Sequence, residues 1–235
     1  MKLGIICAMD VEAALLKECM RNATTTTYAH MDYVEGTLED CPAVVVRCGI
    51  GKINAAVCVQ NLVNRFGVTH VINSGAAGSL DNRIDILDIV VSTDAIHHDV
   101  DATIFGYAAG EVPGLGVASF FADEDLRAVV RAAITQAHEK YAVFEGRVAS
   151  GDQFIADDAT KTRIKDTFDA LCCEMEGASI AQACWLNDVP FVIIRAISDK
   201  ADDSKQIEYP VFEKIAAHQS AKVVMLVAAQ LAARL

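Results

Sequence analysis

The chain has 235 residues, 53% hydrophobic and 22% charged, a composition that excludes a disordered chain. A formal charge of −12 leaves no basic face for a phosphate backbone, so no nucleic-acid partner is expected; it suits a cytoplasmic enzyme of small molecules. The eight cysteines (7, 19, 41, 48, 58, 172, 173 and 184) contain no CxxC pair, which excludes zinc-ribbon and thioredoxin motifs and leaves free thiols.

The run Leu3–Met9 is cut by Asp10 and Glu12 too early for the apolar core of a leader, and it reads as a first strand, Leu3–Ala8. Asp10 is placed to cap a helix in which Val11, Leu15 and Cys19 share a face. Tyr28–Glu35 is expected to form a hairpin partner for the strand Ala43–Arg47, followed by a helix over Ala55–Phe66. The strands His70–Ser74 and Leu87–Ser92, the helix Glu124–Ala137 and the strands Arg147–Ser150 and Ala170–Glu174 come next. A helix over Gly177–Leu186, the strand Phe191–Ile197 and a helix over Pro210–Leu235, with Pro210 in its first turn, complete the pattern. In the last helix Phe212, Ile215, Ala216, Val223, Val227 and Leu231 recur near helical spacing. Its apolar run Val223–Ala229 falls short of the ~20 residues of a membrane span, and no membrane partner is expected.

No repeat or linker divides the chain, so residues 1–235 read as a single domain. The runs VVV, IVV and VIIR are apolar on both faces, as in a central sheet covered by helices. The expected class is therefore α/β: an αβα sandwich around a mixed, largely parallel sheet.

The unusual polar residues follow strands, and in open α/β sheets ligands bind beyond the carboxyl ends of the strands. Asp10 and Glu12 follow the first strand and Gly75-Ala76-Ala77-Gly78 follows VIN. Glu174 and Glu176 close LCCE, and Ser198-Asp199 closes FVIIRAI. GAAG reads as a loop with almost no side chain, either open to a ligand or a plain strand-to-helix connection; it is not a P-loop. Gly49-Ile50-Gly51-Lys52 is a second such loop. Glu12 either complements a helix dipole or serves a site. Glu174 and Glu176 point the same way unless a helix starts between them, and either grip a ribose diol or are surface charges. Asp199 is either an acid raised in pKa by desolvation or a loop cap, and a buried Arg195 nearby would favour its ionised form. Phe154, in Ser150-Gly151-Asp152-Gln153-Phe154, is either a core ring or a ring stacked on a planar base. His97-His98-Asp99-Val100-Asp101 has no second ligand cluster, so no metal is expected.

GIICAMDVE, CGIGKINAA, INSGAAGSL, DIVVS, HHDVDATIFGY, SGDQFI, CCEMEGASIAQAC and VPFVIIRAISDKAD occur in this order nearly end to end. In these segments the chain closely resembles the 5′-methylthioadenosine/S-adenosylhomocysteine nucleosidases of the nucleoside phosphorylase superfamily. The resemblance implies hydrolysis of the N-glycosidic bond of an adenine nucleoside, without a cofactor. It implies Asp199 as the general acid toward N7 of adenine and Glu12 as the general base toward water. Glu176 would hold the ribose hydroxyls beside Glu174, with Met175 against the sugar; Phe154 would stack on adenine while Ile155 reads its polar edge through the backbone. Met9, Ile50 and Tyr209 would line the 5′-alkylthio pocket, and Ala76, Ala77 and Gly78 the glycine loop. Ser198 and Arg195 would support Asp199 and the water site. Phe105 and Pro113 would reach into the partner's site in a homodimer. The sequence departs from the resemblance at Ala76, where many relatives carry a hydroxyl, and Ala102 and Tyr209 suggest an altered 5′ pocket.

Three rival readings remain beside it. A phosphorylase of the same fold wants arginines around an oxyanion, and Glu12 would repel phosphate. A futalosine or aminodeoxyfutalosine hydrolase shares the chemistry on another nucleoside. A non-catalytic nucleoside-binding module would need neither Glu12 nor Asp199.

Overall fold

The computed structural model describes residues 1–137, 141–201 and 205–234, with the backbone alone for residues 137 and 205–211. The strands are β1 (Leu3–Cys7), β2 (Arg21–Tyr28), β3 (Met31–Leu38), β4 (Cys41–Arg47), β5 (His70–Ser79), β6 (Ile89–His97), β7 (Phe120–Phe121), β8 (Val143–Ser150), β9 (Cys172–Glu174) and β10 (Phe191–Asp199). The helices are α1 (Asp10–Cys19), α2 (Lys52–Phe66), α3 (Glu124–Ala137), α4 (Asp158–Phe168), α5 (Gly177–Leu186) and α6 (Lys205–Ala232).

One mixed sheet runs in the order β10-β6-β8-β9-β5-β1-β4-β3-β2, with β7 on β6. Because β10 also pairs with β5, strands β5, β10, β6, β8 and β9 close a ring, and β1, β4, β3 and β2 extend from it as a wing. The parallel set β4, β1, β5, β10 forms the middle, and its alternate side chains feed two cores. Ile6, Val44, Val46 and Val71 join Leu62 of α2 and Ala181 of α5 on one face. Ile5, Val45, Ile72 and Val192 join Leu16 of α1, Val130 of α3 and Val227 of α6 on the other. The expected αβα arrangement follows from that two-sided burial.

Several elements differ from their sequence signals. Met9 rather than Asp10 is the N-cap of α1; Asp10 is exposed and pairs with Arg47 at 3.0 Å. The buried face of α1 is Glu12, Ala13 and Leu16, turned from the expected Val11, Leu15, Cys19 stripe, because Glu12 bonds inward. The hairpin is longer than Tyr28–Glu35. Its outer strand, RNATTTTY, has almost no apolar residue, and Thr tolerates an exposed edge strand. Ala29 and His30 form its two-residue turn at φ of 50° and 60°, the left-handed pair that such hairpins require.

GAAG is not a loop. It is the extended end of β5, held because Arg195, Ala196 and Ile197 of β10 pair with Gly75, Ala76 and Ala77. Helix α4 gave no signal, since only Lys161, Ile164 and Phe168 of its eleven residues are buried; Asp157 caps it by accepting from the Thr160 amide at 2.9 Å. Helix α6 begins at Lys205, so Pro210 lies in its second turn rather than its first. The stretch Phe212–Ala232 is long and apolar enough to cross a membrane by length and composition, more than Val223–Ala229 suggested. Of its eighteen-residue apolar window 56% is buried in the protein's own core, where Ala221, Val224 and Val227 pack under the sheet.

Candidate active site

Every strand of the middle set contributes residues, at or just past its carboxyl end, to one solvent-open cleft of about 600 Å³. The walls are Ala8, Met9 and Glu12 after β1, Ile50 after β4, and Ala76, Ala77 and Gly78 within β5. Gln153, Phe154 and Ile155 follow β8. Cys173 to Glu176 close β9, and Arg195, Ser198 and Asp199 belong to β10.

Glu12 reaches the cleft because its carboxylate folds back onto backbone. Oε2 accepts from the amides of Ala8 and Met9, each at 2.9 Å, and Oε1 accepts from the Ala76 amide at 3.0 Å. Burial pushes its carboxyl up; Arg195 and the three amides pull back without cancelling the shift. Gly75 makes this possible, since a Cβ there would stand 2.5 Å from Glu12 Oε1 and closer still to the Arg195 guanidinium.

Arg195 is fully enclosed and organises the floor. It pairs with Glu174, donates to Asn73 Oδ1 at 2.5 Å and lies 3.8 Å from Glu176. Glu174 is saturated from within the protein: Ser150 Oγ, the Gly177 and Glu176 amides and Arg195 all donate to it. Glu176 is the N-cap of α5, so a helix does start just after the pair, and the two carboxylates face different partners. Its Oε1 accepts from the Gly51 amide at 2.9 Å. Burial, then the charge of Glu174, pushes the Glu176 carboxyl up to about 8.

Asp199 stands at the other side, 2% exposed. Ser198 Oγ donates to its Oδ2 at 2.9 Å, and the Ala201 amide donates to Oδ1 at 2.8 Å. Nearby in sequence, the ion pairs of Arg195 go to Glu174 and Glu176, and that of Lys200 goes to Asp85.

Of the residues expected from sequence, Met9, Glu12, Ile50, Ala76, Ala77, Gly78, Phe154, Ile155, Glu174, Met175, Glu176, Arg195, Ser198 and Asp199 meet in this cleft. Phe105 and Pro113 do not; both lie exposed on the outer surface, Phe105 at 80%. The Tyr209 side chain lies outside the described residues. The sequence reading missed Ala8, Gln153 and Cys173 in the lining, and Asn73, Gly51 and Ser150 as hydrogen-bonding supports. Gly51, Ser150 and Asn73 all sit inside segments already singled out, but nothing in those segments marked them as supports. Among the described residues no three His, Cys, Asp or Glu side chains converge as metal ligands. His97 Nε2 instead bonds Gln182 at 2.9 Å.

The chain matches the phosphorylase superfamily over residues 2–229. It is 41% identical over 233 residues to the 5′-methylthioadenosine/S-adenosylhomocysteine nucleosidase of Anoxybacillus flavithermus, covering 98% of this chain and 99% of that one. The chain belongs to the 5′-methylthioadenosine/S-adenosylhomocysteine nucleosidases of the phosphorylase superfamily. A nucleosidase of the same name from Neisseria meningitidis, solved with methylthio-immucillin-A, superposes with a TM-score of 0.94 at 39% identity, over 97% of this chain and 99% of that one. The futalosine hydrolase of Helicobacter pylori also superposes, with a TM-score of 0.92 at 30% identity over 97% of both chains. Nucleosidases and a futalosine hydrolase thus share this fold, and the fold alone does not rank their substrates.

Proposed function

We propose that the protein hydrolyses the N-glycosidic bond of 5′-methylthioadenosine and S-adenosylhomocysteine, releasing adenine and the thioribose product, with 5′-deoxyadenosine as a further substrate that would give adenine and 5-deoxyribose. The observation that carries this reading is the pair of buried carboxylates, Glu12 and Asp199, held in one cleft by separate sets of backbone and hydroxyl donors.

The steps follow from their positions. Asp199 gives a proton to N7 of adenine as the C1′–N9 bond breaks, so the base leaves neutral. Water adds to C1′ and its proton passes to Glu12, whose raised pKa makes it a better base than an ordinary carboxylate. The ribose carries oxocarbenium character meanwhile, and the carboxylates of Glu12 and Glu174 favour that positive charge. Glu176 holds the ribose hydroxyls, while Glu174, already saturated by donors, positions Arg195. Phe154 stacks on the base, Ile155 reads its edge, and Met9 and Ile50 line the 5′ end.

Phosphorolysis is disfavoured by the same floor. The one cation among the described lining residues is Arg195, and it is committed to Glu174 and Asn73, so phosphate would meet the Glu12 carboxylate with no cation left to hold it. A futalosine hydrolase reading draws support from the Helicobacter pylori neighbour, but relatives at 39–41% identity carry the methylthioadenosine name.

The enzyme acts as a homodimer in the cytoplasm, in methionine salvage. Supporting the dimer, Ile53, Ile104, Phe105, Phe121 and Leu186 are large apolar side chains left exposed. Phe105 and Pro113 of one subunit complete the 5′ pocket of the other.

The test is adenine release from methylthioadenosine, without phosphate and with a chelator present, for the wild type and Asp199→Asn. Release that collapses in the variant supports the reading. Release only after adding phosphate would turn it into a phosphorylase, and tight binding without turnover into a binding module.

A further inference from the structure

One charged cluster beside the cleft takes no part in that chemistry. Asp99, two residues past the end of β6, accepts from Lys52 Nζ at 2.6 Å through Oδ1 and from the Asp152 amide at 2.9 Å through Oδ2. Asp152 Oδ1 in turn accepts from the Lys52 amide at 2.8 Å. Three segments are thereby joined: the loop between β4 and α2, the end of β6, and the loop after β8.

The joint is closely packed. Gly51 has φ +99°, and a Cβ there would come to 3.1 Å from Asp152 Oδ1. At Gly151 a Cβ would stand 2.5 Å from His98 Nε2 and 3.0 Å from Asp99 Cγ. The side chains of Lys52 and Asp99 are 20% and 18% exposed, so solvent screens the pair only in part. Burial works against the charge on Asp99, but Lys52 and the Asp152 amide outweigh it and hold the carboxyl below its ordinary value.

What the joint carries on each side is the cleft itself. Ile50 lines the wall, and Gly51 donates to Glu176, the carboxylate on the sugar side. Phe154 and Ile155, two and three residues past Asp152, form the base side. We propose that Asp99 is a positioning residue that fixes the spacing between the loop orienting Glu176 and the loop carrying Phe154. It thereby selects a ligand whose base and sugar are joined at the nucleoside distance. This rests on the reading of the cleft as a nucleoside site.

The experiment compares two probes by calorimetric titration: adenine alone, and an uncleavable C-glycoside analogue of methylthioadenosine. Adenine needs only the base-side loop, whereas the analogue needs both. Asp99→Asn and Lys52→Met are expected to weaken the analogue about tenfold, as a small misplacement of a binding group does, and to leave adenine within about twofold. Lys52→Arg, which keeps the cation, is expected to recover most of the loss. Should Asp99→Asn fail to fold, the two Lys52 variants carry the same comparison. Equal weakening of both probes, or unchanged affinity for the analogue, would overturn the role of Asp99. A wild type that binds neither probe would instead sink the nucleoside reading, and this inference with it.

Discussion

Arg195 and Glu174 form an ion pair on the floor of the cleft in which neither side chain is more than 4% exposed. Breaking such a pair leaves a charge without a partner in a poorly solvated place, which costs about 3–5 kcal/mol. Glu174→Gln keeps the shape and removes the charge. It is expected to lower the melting temperature by roughly 6–20 °C, given about 2–4 °C per kcal/mol for a chain of this size. Thermal melts at neutral pH check this. An unchanged melting temperature would mean that Glu176, at 3.8 Å, takes over the guanidinium.

Glu176 makes stability depend on pH. Its folded-state pKa is raised, from 4.5 to about 8, by burial first and by Glu174 second. The native state therefore favours the protonated form, so this group's contribution is complete below 4.5 and lost as pH rises toward 8. Glu176→Gln mimics the protonated form at every pH. Relative to it, the wild type should lose stability between about pH 5 and pH 8, by up to about 3–5 kcal/mol. Denaturant titrations of both proteins across that range are the check, and parallel curves would contradict it.

Gly75→Ala tests how closely Glu12 and Arg195 approach the sheet. The added methyl would meet Glu12 Oε1 at 2.5 Å, and that oxygen is fixed by the Ala76 amide. Activity should fall by on the order of 10²-fold or more through misplacement of Glu12, with overpacking of about 1–3 kcal/mol. Gly67→Ala is the control: nothing lies within 4 Å of its Cβ, but φ is +62°. It should cost about 1 kcal/mol from backbone strain and leave adenine release unchanged.

Phe105→Ser tests the shared site. If the partner's pocket needs this ring, the variant should raise KM for methylthioadenosine about tenfold or more, as hot-spot aromatics do. Mixing Phe105→Ser with an inactive Glu12→Gln protein should restore activity, since one mixed site then holds a native Glu12 and a native Phe105. No recovery after subunit exchange would argue that each subunit works alone.

Most of the fold was legible because two-sided burial writes itself into sequence. Runs such as VVV in β4 and VII in β10 are apolar at every position, and only a covered central sheet keeps them from water. Elements without that signature were hidden. Strand β2 holds its place by pairing with β3, and α4 by three buried residues and an Asp157 cap. Neither reads as apolar periodicity.

The acidic residues that line the cleft were visible by type and by their place after strands; their division of labour was not. Glu174 and Glu176 are two residues apart and look equivalent. Only the start of α5 just after them, whose first amides turn onto Glu174, and the enclosed Arg195 make one a saturated support and leave the other near the sugar side. Asn73 lies within the quoted segment INSGAAGSL, but its role was not legible there, because that role depends on which guanidinium the ring of strands brings against it. The sequence by itself determined the class of fold, the positions of most strands and the set of carboxylates at their ends, all of which follow from local hydrophobic pattern. Tertiary structure alone decided the closure of β10 onto β5, the extended course of GAAG and the pairing of each charge. Those depend on contacts between residues as far apart as Glu12 and Ala76, which no local pattern encodes.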